Sequence, residues 1–312
     1  MTALIALADV LSLLGAIALA AFGGEAFLKG ILGVAAHLRL PRMLVAVTLA
    51  AFATSSPELT VSTLAALSGK PEIGLGDALG SNVVNVGLIL GLALLFGSLS
   101  ATFSDIRRDF LLALAVPIFT LLLALDGTLS RVEGGLLLAL FVFWLGLATR
   151  QAIQHRRENH AETALPNHPL RSWLLLLAGL GGLILAGRLF VTGTTGIATS
   201  LGIHPYIIGA TVVAIGTSLP ELVTTLLARL RGHDDVGLGT LLGSNLFNGL
   251  AIVGTASSIH PIRAPVNEVA AALLFGLLTV LWVYPRQGKL GRSRGVVLLL
   301  SYAAFVLVTL TL

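Results

Sequence analysis

Thr54-Ser-Ser-Pro-Glu-Leu59 and Gly80-Ser-Asn-Val-Val-Asn85 in the first half of the chain return as Thr217-Ser-Leu-Pro-Glu-Leu222 and Gly243-Ser-Asn-Leu-Phe-Asn248 in the second. Equivalent residues are 163 positions apart, and 19 of the 38 positions from 54 to 91 are identical to their counterparts. Generic apolar similarity would match Leu and Ala; here Thr, Ser, Pro, Glu and Asn match. Gly69, Gly74 and Gly76 also fall on Gly232, Gly237 and Gly239. Weaker matches carry the repeat back from Gly24, Phe27, Gly30 and Gly33 to Gly187, Phe190, Gly193 and Gly196. The chain is two copies of one unit.

Composition decides the solvent of that unit. Apolar residues make up 56% of the 312 residues and charged residues 11%, against about 25% charged in a soluble domain. So few charges cannot cover a water-facing surface, so most of the surface faces lipid. Cysteine is absent, which excludes disulfides, thiolate metal sites and a cysteine nucleophile. The net charge of +4 sits in short loops between apolar runs, where topology explains it and nucleic acid does not. The first 22 residues lack the positively charged start of a signal peptide, and Asp9 interrupts their apolar run. They read as part of the first helix.

Runs long enough for a bilayer core of about 20 residues fall at 3–36, 42–68, 73–98, 108–125, 131–153, 170–201, 205–230, 236–258, 265–284 and 295–311. The expected fold is an all-α integral membrane protein of ten transmembrane helices. One five-helix repeat occupies 1–153, a polar linker 154–169, and the second repeat 170–312. The first and sixth spans exceed a perpendicular crossing, which predicts tilt or an interfacial extension. Five spans per unit is odd, so the second copy is inserted upside down, as in transporters whose site lies where inverted copies meet. Fourteen Lys and Arg residues flank the spans on one side; Lys70, Arg131 and Arg263 flank them on the other. The positive-inside bias makes the linker cytoplasmic and puts both termini outside the inner membrane.

Glu58 and Glu221 lie deep in apolar spans, where a carboxylate costs several kcal/mol without compensation. No Lys or Arg is within a helical turn of either, so a metal ion or a proton is the simplest counter-charge; the structural alternative is an ion pair with distant Lys29 or Arg188. Thr54 and Ser55 precede Glu58 by four and three residues and share its face in a helix. Thr217 and Ser218 repeat the pattern. Ser81 and Asn85 are four apart, as are Ser244 and Asn248. Pro57 frees the carbonyl of Ala53, and Pro220 that of Gly216. Carboxylate, hydroxyl, amide and backbone oxygens suit a hard ion such as calcium or sodium. Ser55-x-x-Glu58 and Ser218-x-x-Glu221 also spell a capping box that would restart a broken helix. Close helix packing is expected at Gly24, Gly33, Gly187 and Gly196, and packing or approach to the site at Gly80 and Gly243. Gly74-Leu75-Gly76-Asp77 matches an intramembrane aspartyl protease motif, but its counterpart in the repeat is Thr240, so the second aspartate is missing. Asp77 reads instead as a residue near a helix end or on an access path.

With these motifs the chain resembles the sodium/calcium exchanger family of the calcium/cation antiporter superfamily, in its prokaryotic form with two alpha repeats. The resemblance covers essentially the whole chain. It implies a site in which Glu58 and Glu221 are the central ligands, with Thr54, Ser55, Thr217 and Ser218 beside them. Ser81, Asn85, Ser244 and Asn248 would reach in from partner helices, and the carbonyls of Ala51 and Ala214 would complete the site. It also implies sliding of the long first and sixth helices. Ala53 replaces the usual glycine, and Asn248 stands where several relatives carry aspartate, which argues against potassium dependence. Thr-Ser before each glutamate, where the proton-coupled branch has Gly-Asn, favours sodium as the coupling ion.

The expected function is therefore a calcium/sodium antiporter, not an enzyme, with calcium and sodium as transported ions and no cofactor. A calcium/proton antiporter using the same glutamates is the alternative. A channel is disfavoured because a single inverted pair supplies no ring of ligands. The expected surroundings are a lipid bilayer, with no nucleic acid and no obligate protein partner.

Overall fold

The computed structural model describes residues 7–158, 169–201, 214–264, 266–285 and 288–311. In the first half, α1 (Leu7–Leu38) leads to two arms, α2 (Arg42–Thr54) and α3 (Ser56–Leu67), which meet at a 45° bend. Pro57 sits in the first turn of α3, where a missing N–H is tolerated but the ladder across the bend cannot continue. The half continues with α4 (Pro71–Leu95) and α5 (Phe103–Asp126), then α6 (Arg131–Glu158). In the second half come α7 (Pro169–Ser200), α8 (Ala214–Thr217), α9 (Leu219–Leu230) and α10 (Asp234–Ile259). The last two helices are α11 (Val266–Leu281) and α12 (Arg292–Thr311).

Seven of these helices are long and apolar enough to cross a membrane, or eight with the bent pair counted as one span. The expected span 265–284 is represented by α11, whose 16 residues rise roughly 24 Å, short of a core of about 30 Å. The first part of the expected span 205–230 lies outside the described residues. So does 159–168 of the expected linker, while its first residues extend α6 to Glu158.

Repeat-equivalent residues build equivalent local structure. Gly69 and Gly232, with φ of 72° and 73°, end α3 and α9 in the left-handed conformation that glycine tolerates. Behind them the Lys70 N–H bonds the Ala65 carbonyl at 2.9 Å, and the His233 N–H bonds the Ala228 carbonyl at 2.8 Å. Both α4 and α10 widen into π-helical turns, at Val84–Leu90 and Phe247–Ile252. Such turns concentrate at functional sites.

The most apolar stretch of α10 is 100% buried and that of α4 78%, against 17% for α1. These two helices form the axis, and the others wrap them. The wrapping helices turn Phe22, Val132 and Phe143 outward, a surface that water would not tolerate over so wide an area but lipid solvates. Inside, Asp109 of α5 is buried yet satisfied, accepting from Trp144 Nε1 of α6 at 3.0 Å and Arg108 Nε at 2.8 Å. The chain is a multi-pass, all-helical membrane protein.

The two halves share one interior. Each of two short antiparallel pairs draws one strand from each half: β1 (Leu99–Ser100) with β4 (Lys289–Leu290), and β2 (Thr128–Leu129) with β3 (Ile262–Arg263). The long helices α1 and α7 run antiparallel along a seam of small residues. A Cβ added at Gly30 would stand 2.6 Å from Leu176 Cα, and one at Gly179 2.7 Å from Phe27 Cα. Gly33 closes on Ser172, and Gly196 on Asp9. Backbones this close gain dispersion contacts that larger side chains would forbid. Close packing, expected at Gly24, Gly33, Gly187 and Gly196, is found at all four.

Candidate cation-binding site

At Ser55 the chain leaves helical geometry (φ −85°, ψ 8°), and at Ser218 it does the same (φ −85°, ψ 12°). Neither serine caps the helix that follows, so the capping box expected of Ser55 and Ser218 does not form. The Ser55 hydroxyl crosses to the other half instead. Ser55 Oγ donates to Glu221 Oε1 at 3.2 Å, while Ser218 Oγ is buried without a hydrogen-bond partner. A capping bond would have spent Ser55 on its own helix; its bond to Glu221 ties the two breaks together instead.

Around this pair the polar groups converge. Ser244 Oγ of α10 donates to the same Glu221 oxygen at 3.1 Å, and Thr54 Oγ1 lies 3.4 Å from Ser244 Oγ. Glu58 and Glu221 are both 1% exposed. No Lys or Arg among the described residues pairs with either. Lys29 is spent on Glu25 at 3.2 Å, and Arg188 makes no ion pair or hydrogen bond with a described residue. The structural ion pair is therefore not what holds these acids.

The axis helices meet through their asparagines. Asn82 Nδ2 donates to the Asn245 carbonyl at 3.3 Å, and Asn245 Nδ2 returns to the Asn82 carbonyl at 3.2 Å. Asn85 Nδ2 donates to Asn245 Oδ1 at 3.1 Å. These bonds consume amide donors and leave acceptors over. Glu58 Oε2, Glu221 Oε2, Ser81 Oγ, Asn85 Oδ1 and both polar atoms of Asn248 are buried without a partner. Each such atom costs on the order of 1–3 kcal/mol, and oxygen dominates the set. A hard cation is the ligand that would satisfy oxygens of this kind, so the donors fit calcium or sodium as cargo.

Several expected residues stand differently. The Ala51 carbonyl accepts from the Ser55 N–H at 2.9 Å and from Thr54 Oγ1 at 3.4 Å. The Ala53 carbonyl freed by Pro57 is taken by Ser56 Oγ at 2.7 Å, whereas Gly216 has Leu219 in the place of that serine. Thr217 lines an adjoining cavity. Ala214 opens α8, and the residues before it are outside the described ones. Gly80 meets no neighbour, and Gly243 packs on Val47 and Ala51.

Three features were not marked as parts of the site from sequence. Asn82 and Asn245 cross-bond the axis; their identity within the repeat was the signal. Asp77 is half-buried with Oδ2 unpartnered and close enough to repel both glutamates. The cavity of about 540 Å³ beside the breaks is lined by Ser56, Thr60, Arg188, Thr192 and Thr217 among others. Thr240, opposite Asp77 in the repeat, bonds the Val236 carbonyl of its own helix at 2.9 Å.

Known proteins match this chain over most of its length. The family model of the sodium/calcium exchanger protein matches residues 9–150 and 171–311. The inner membrane protein YrbG of Escherichia coli is 32% identical over 272 residues, 83% of each chain. The sodium/calcium exchanger MaX1 of Methanosarcina acetivorans is 26% identical over 328 residues, covering 92% of this chain and 94% of that one. The solved sodium/calcium exchanger from Methanococcus jannaschii superposes with a TM-score of 0.82 at 29% identity, covering 96% and 98% of the two chains. By motif, by length and by fold, the chain belongs to the sodium/calcium exchanger family.

Proposed function

We propose that the protein is a secondary antiporter that exchanges calcium for sodium through one site at the bilayer midplane. Ten spans would form two inverted repeats, 1–153 and 170–312, with the linker cytoplasmic and both termini outside the inner membrane. The observation that carries this reading is two buried glutamates with no basic partner among the described residues, one of them accepting from the serine of the opposite break. Two carboxylates balance one calcium ion or two sodium ions, and the unpartnered neutral oxygens can hold further sodium. Glu58, Glu221, Thr54, Ser55, Ser81, Asn85, Ser218, Ser244 and Asn248 form the site. Thr217 and the carbonyls of Ala51 and Ala214 serve its edge.

Alternating access fits an asymmetry between the halves. Beside Gly187 lies the open cavity. At the repeat-equivalent Gly24, Val223 Cγ1 stands 2.5 Å and Leu227 Cδ1 2.6 Å from where a Cβ would be, so that side is filled. In an inverted repeat these are the outer and inner approaches, one open while the other is shut. Motion of α1 and α7 as a unit would exchange them. An empty site with two bare carboxylates resists closing over itself, and this makes the cycle an exchange.

The test is labelled-calcium uptake into sealed liposomes preloaded with sodium or with choline at equal pH. Uptake should require internal sodium and collapse when sodium is added outside. The Glu58→Gln, Glu221→Gln double variant should show none, and uphill uptake by that variant would sink the proposal. Uptake indifferent to sodium and switched on by an acidic interior would assign proton coupling to the same residues.

A further inference from the structure

Of the nineteen Lys and Arg residues, two lie inside long membrane helices away from the loops, and they are treated differently. Lys29 of α1 is paired with Glu25, which also binds Arg231 at 2.9 Å. Arg188 of α7 has no hydrogen-bond or ion-pair partner among the described residues. It is exposed, twelve residues before the end of a 32-residue helix. Its neighbour Gly187 packs on the Gly216 carbonyl, 2.6 Å from where a Cβ would sit. That contact fixes the depth of Arg188 at the helix break, level with the site. An unpaired guanidinium at this depth is costly in hydrocarbon and tolerable in a water-filled cavity. A cavity is there: Arg188 shares its wall with Ser56, Pro57, Thr60, Thr192 and Thr217.

The other polar side chains of the wall do not neutralise it. Ser56 Oγ is spent on the Ala53 carbonyl and Thr60 Oγ1 on the Ser56 carbonyl, and none of the described wall residues is acidic. In the other half the position equivalent to Arg188 is Glu25, already held by Lys29 and Arg231. The two approaches of an inverted repeat therefore carry different charge.

We infer that Arg188 is an electrostatic barrier on the open approach to the glutamate pair, opposing calcium more strongly than sodium and on one face of the membrane only. This rests on the exchange reading above. The reason is Coulombic: a fixed positive charge acts on a passing ion in proportion to the ion's charge. Whatever factor it imposes on sodium, it imposes the square of that factor on calcium. The barrier raises the calcium concentration needed at that face and favours release of calcium there.

A charge series tests it. Arg188→Gln should lower the apparent KM for calcium on the order of tenfold and the inhibitory constant for sodium about threefold, as expected for a single charge at solvent-screened range. Arg188→Lys should behave as wild type, and Arg188→Glu should shift both constants further. The native chain has no cysteine, so Arg188→Cys supplies one addressable thiol. A membrane-impermeant thiosulfonate bearing trimethylammonium, added from the bath, should restore the wild-type constants, and one bearing sulfonate should move them the other way. Equal factors for the two ions, or a Lys variant that behaves like the Gln variant, would overturn the inference. The second of those outcomes would point to a packing role or to guanidinium contact with a lipid phosphate. A wild type that exchanges normally beside an unchanged Gln variant defeats this inference alone. If the wild type moves no calcium, the exchange reading fails first. An unreactive thiol at 188 then still overturns the water-lined placement.

Discussion

Asn248 shows at single-residue scale what a cation-binding site would give up for its ligand. It is fully buried, and neither its Oδ1 nor its Nδ2 has a partner. Its repeat counterpart Asn85 at least donates to Asn245. Burying an amide this way costs on the order of 1–3 kcal/mol for each unmade bond, and nothing in the packing returns it. A ligand does, if it coordinates Oδ1. Asn248→Leu should therefore raise the ion-free thermal midpoint, by roughly 1–2 kcal/mol of added stability. The same change should shrink the upward shift that calcium produces. The wild type at calcium a hundred times its Kd gains about 2.7 kcal/mol, and the variant should gain a small fraction of that. Melting in detergent with chelator and with calcium measures both. A variant less stable without ions, yet equally stabilised by calcium, would mean that Asn248 is a packing residue.

At the scale of elements, the structure depends on two long helices whose backbones approach closely at glycines. Close approaches along the seam of α1 and α7 fall at Gly23, Gly30, Gly33, Gly179 and Gly193. Gly179→Ala should cost about 1–3 kcal/mol through overpacking, because its Cβ would press on the Gly23 carbonyl and the Phe27 backbone. Gly181→Ala, two residues on and facing open space, should be neutral or slightly stabilising, since alanine is the better helix former. Thermal midpoints of the two variants separate seam from surface. Equal effects would refute a packed seam. Much of this was legible beforehand. The repeat marked Gly24, Gly33, Gly187 and Gly196 as packing residues, and the Pro-Glu pairs placed the breaks. What remained hidden was pairing across the halves. Ser55-x-x-Glu58 is a valid cap in one dimension, and only the approach of Glu221 from the other half shows where that hydroxyl goes. The charge at Asp77 was visible, but its reach to both glutamates depends on how far α4 leans over the breaks.

For the whole molecule, inversion of the repeat would turn two similar halves into two approaches to one site. The chain itself offers a strict test. Ser68 and Arg231 are 163 apart; each is exposed, and each stands just before the left-handed glycine that ends α3 or α9. If each unit crosses the membrane an odd number of times, these two turns face opposite compartments, although their sequences and backbones are alike. The charge bias assigns the Ser68 turn, beside Lys70, to the outside and the Arg231 turn to the cytoplasm. Single cysteines at the two positions start from a cysteine-free background. Arg231→Cys removes one bond to Glu25 but leaves Lys29 in place. An impermeant maleimide added to intact cells should label Ser68→Cys at once and Arg231→Cys only after the membrane is opened. Labelling of both from the same side would mean an even number of crossings per unit. The open cavity and the filled one would then face the same compartment, and no sliding of α1 and α7 could make an exchanger of them. Labelling of each from its own side would put the two turns in opposite compartments, as alternating access through an inverted repeat requires.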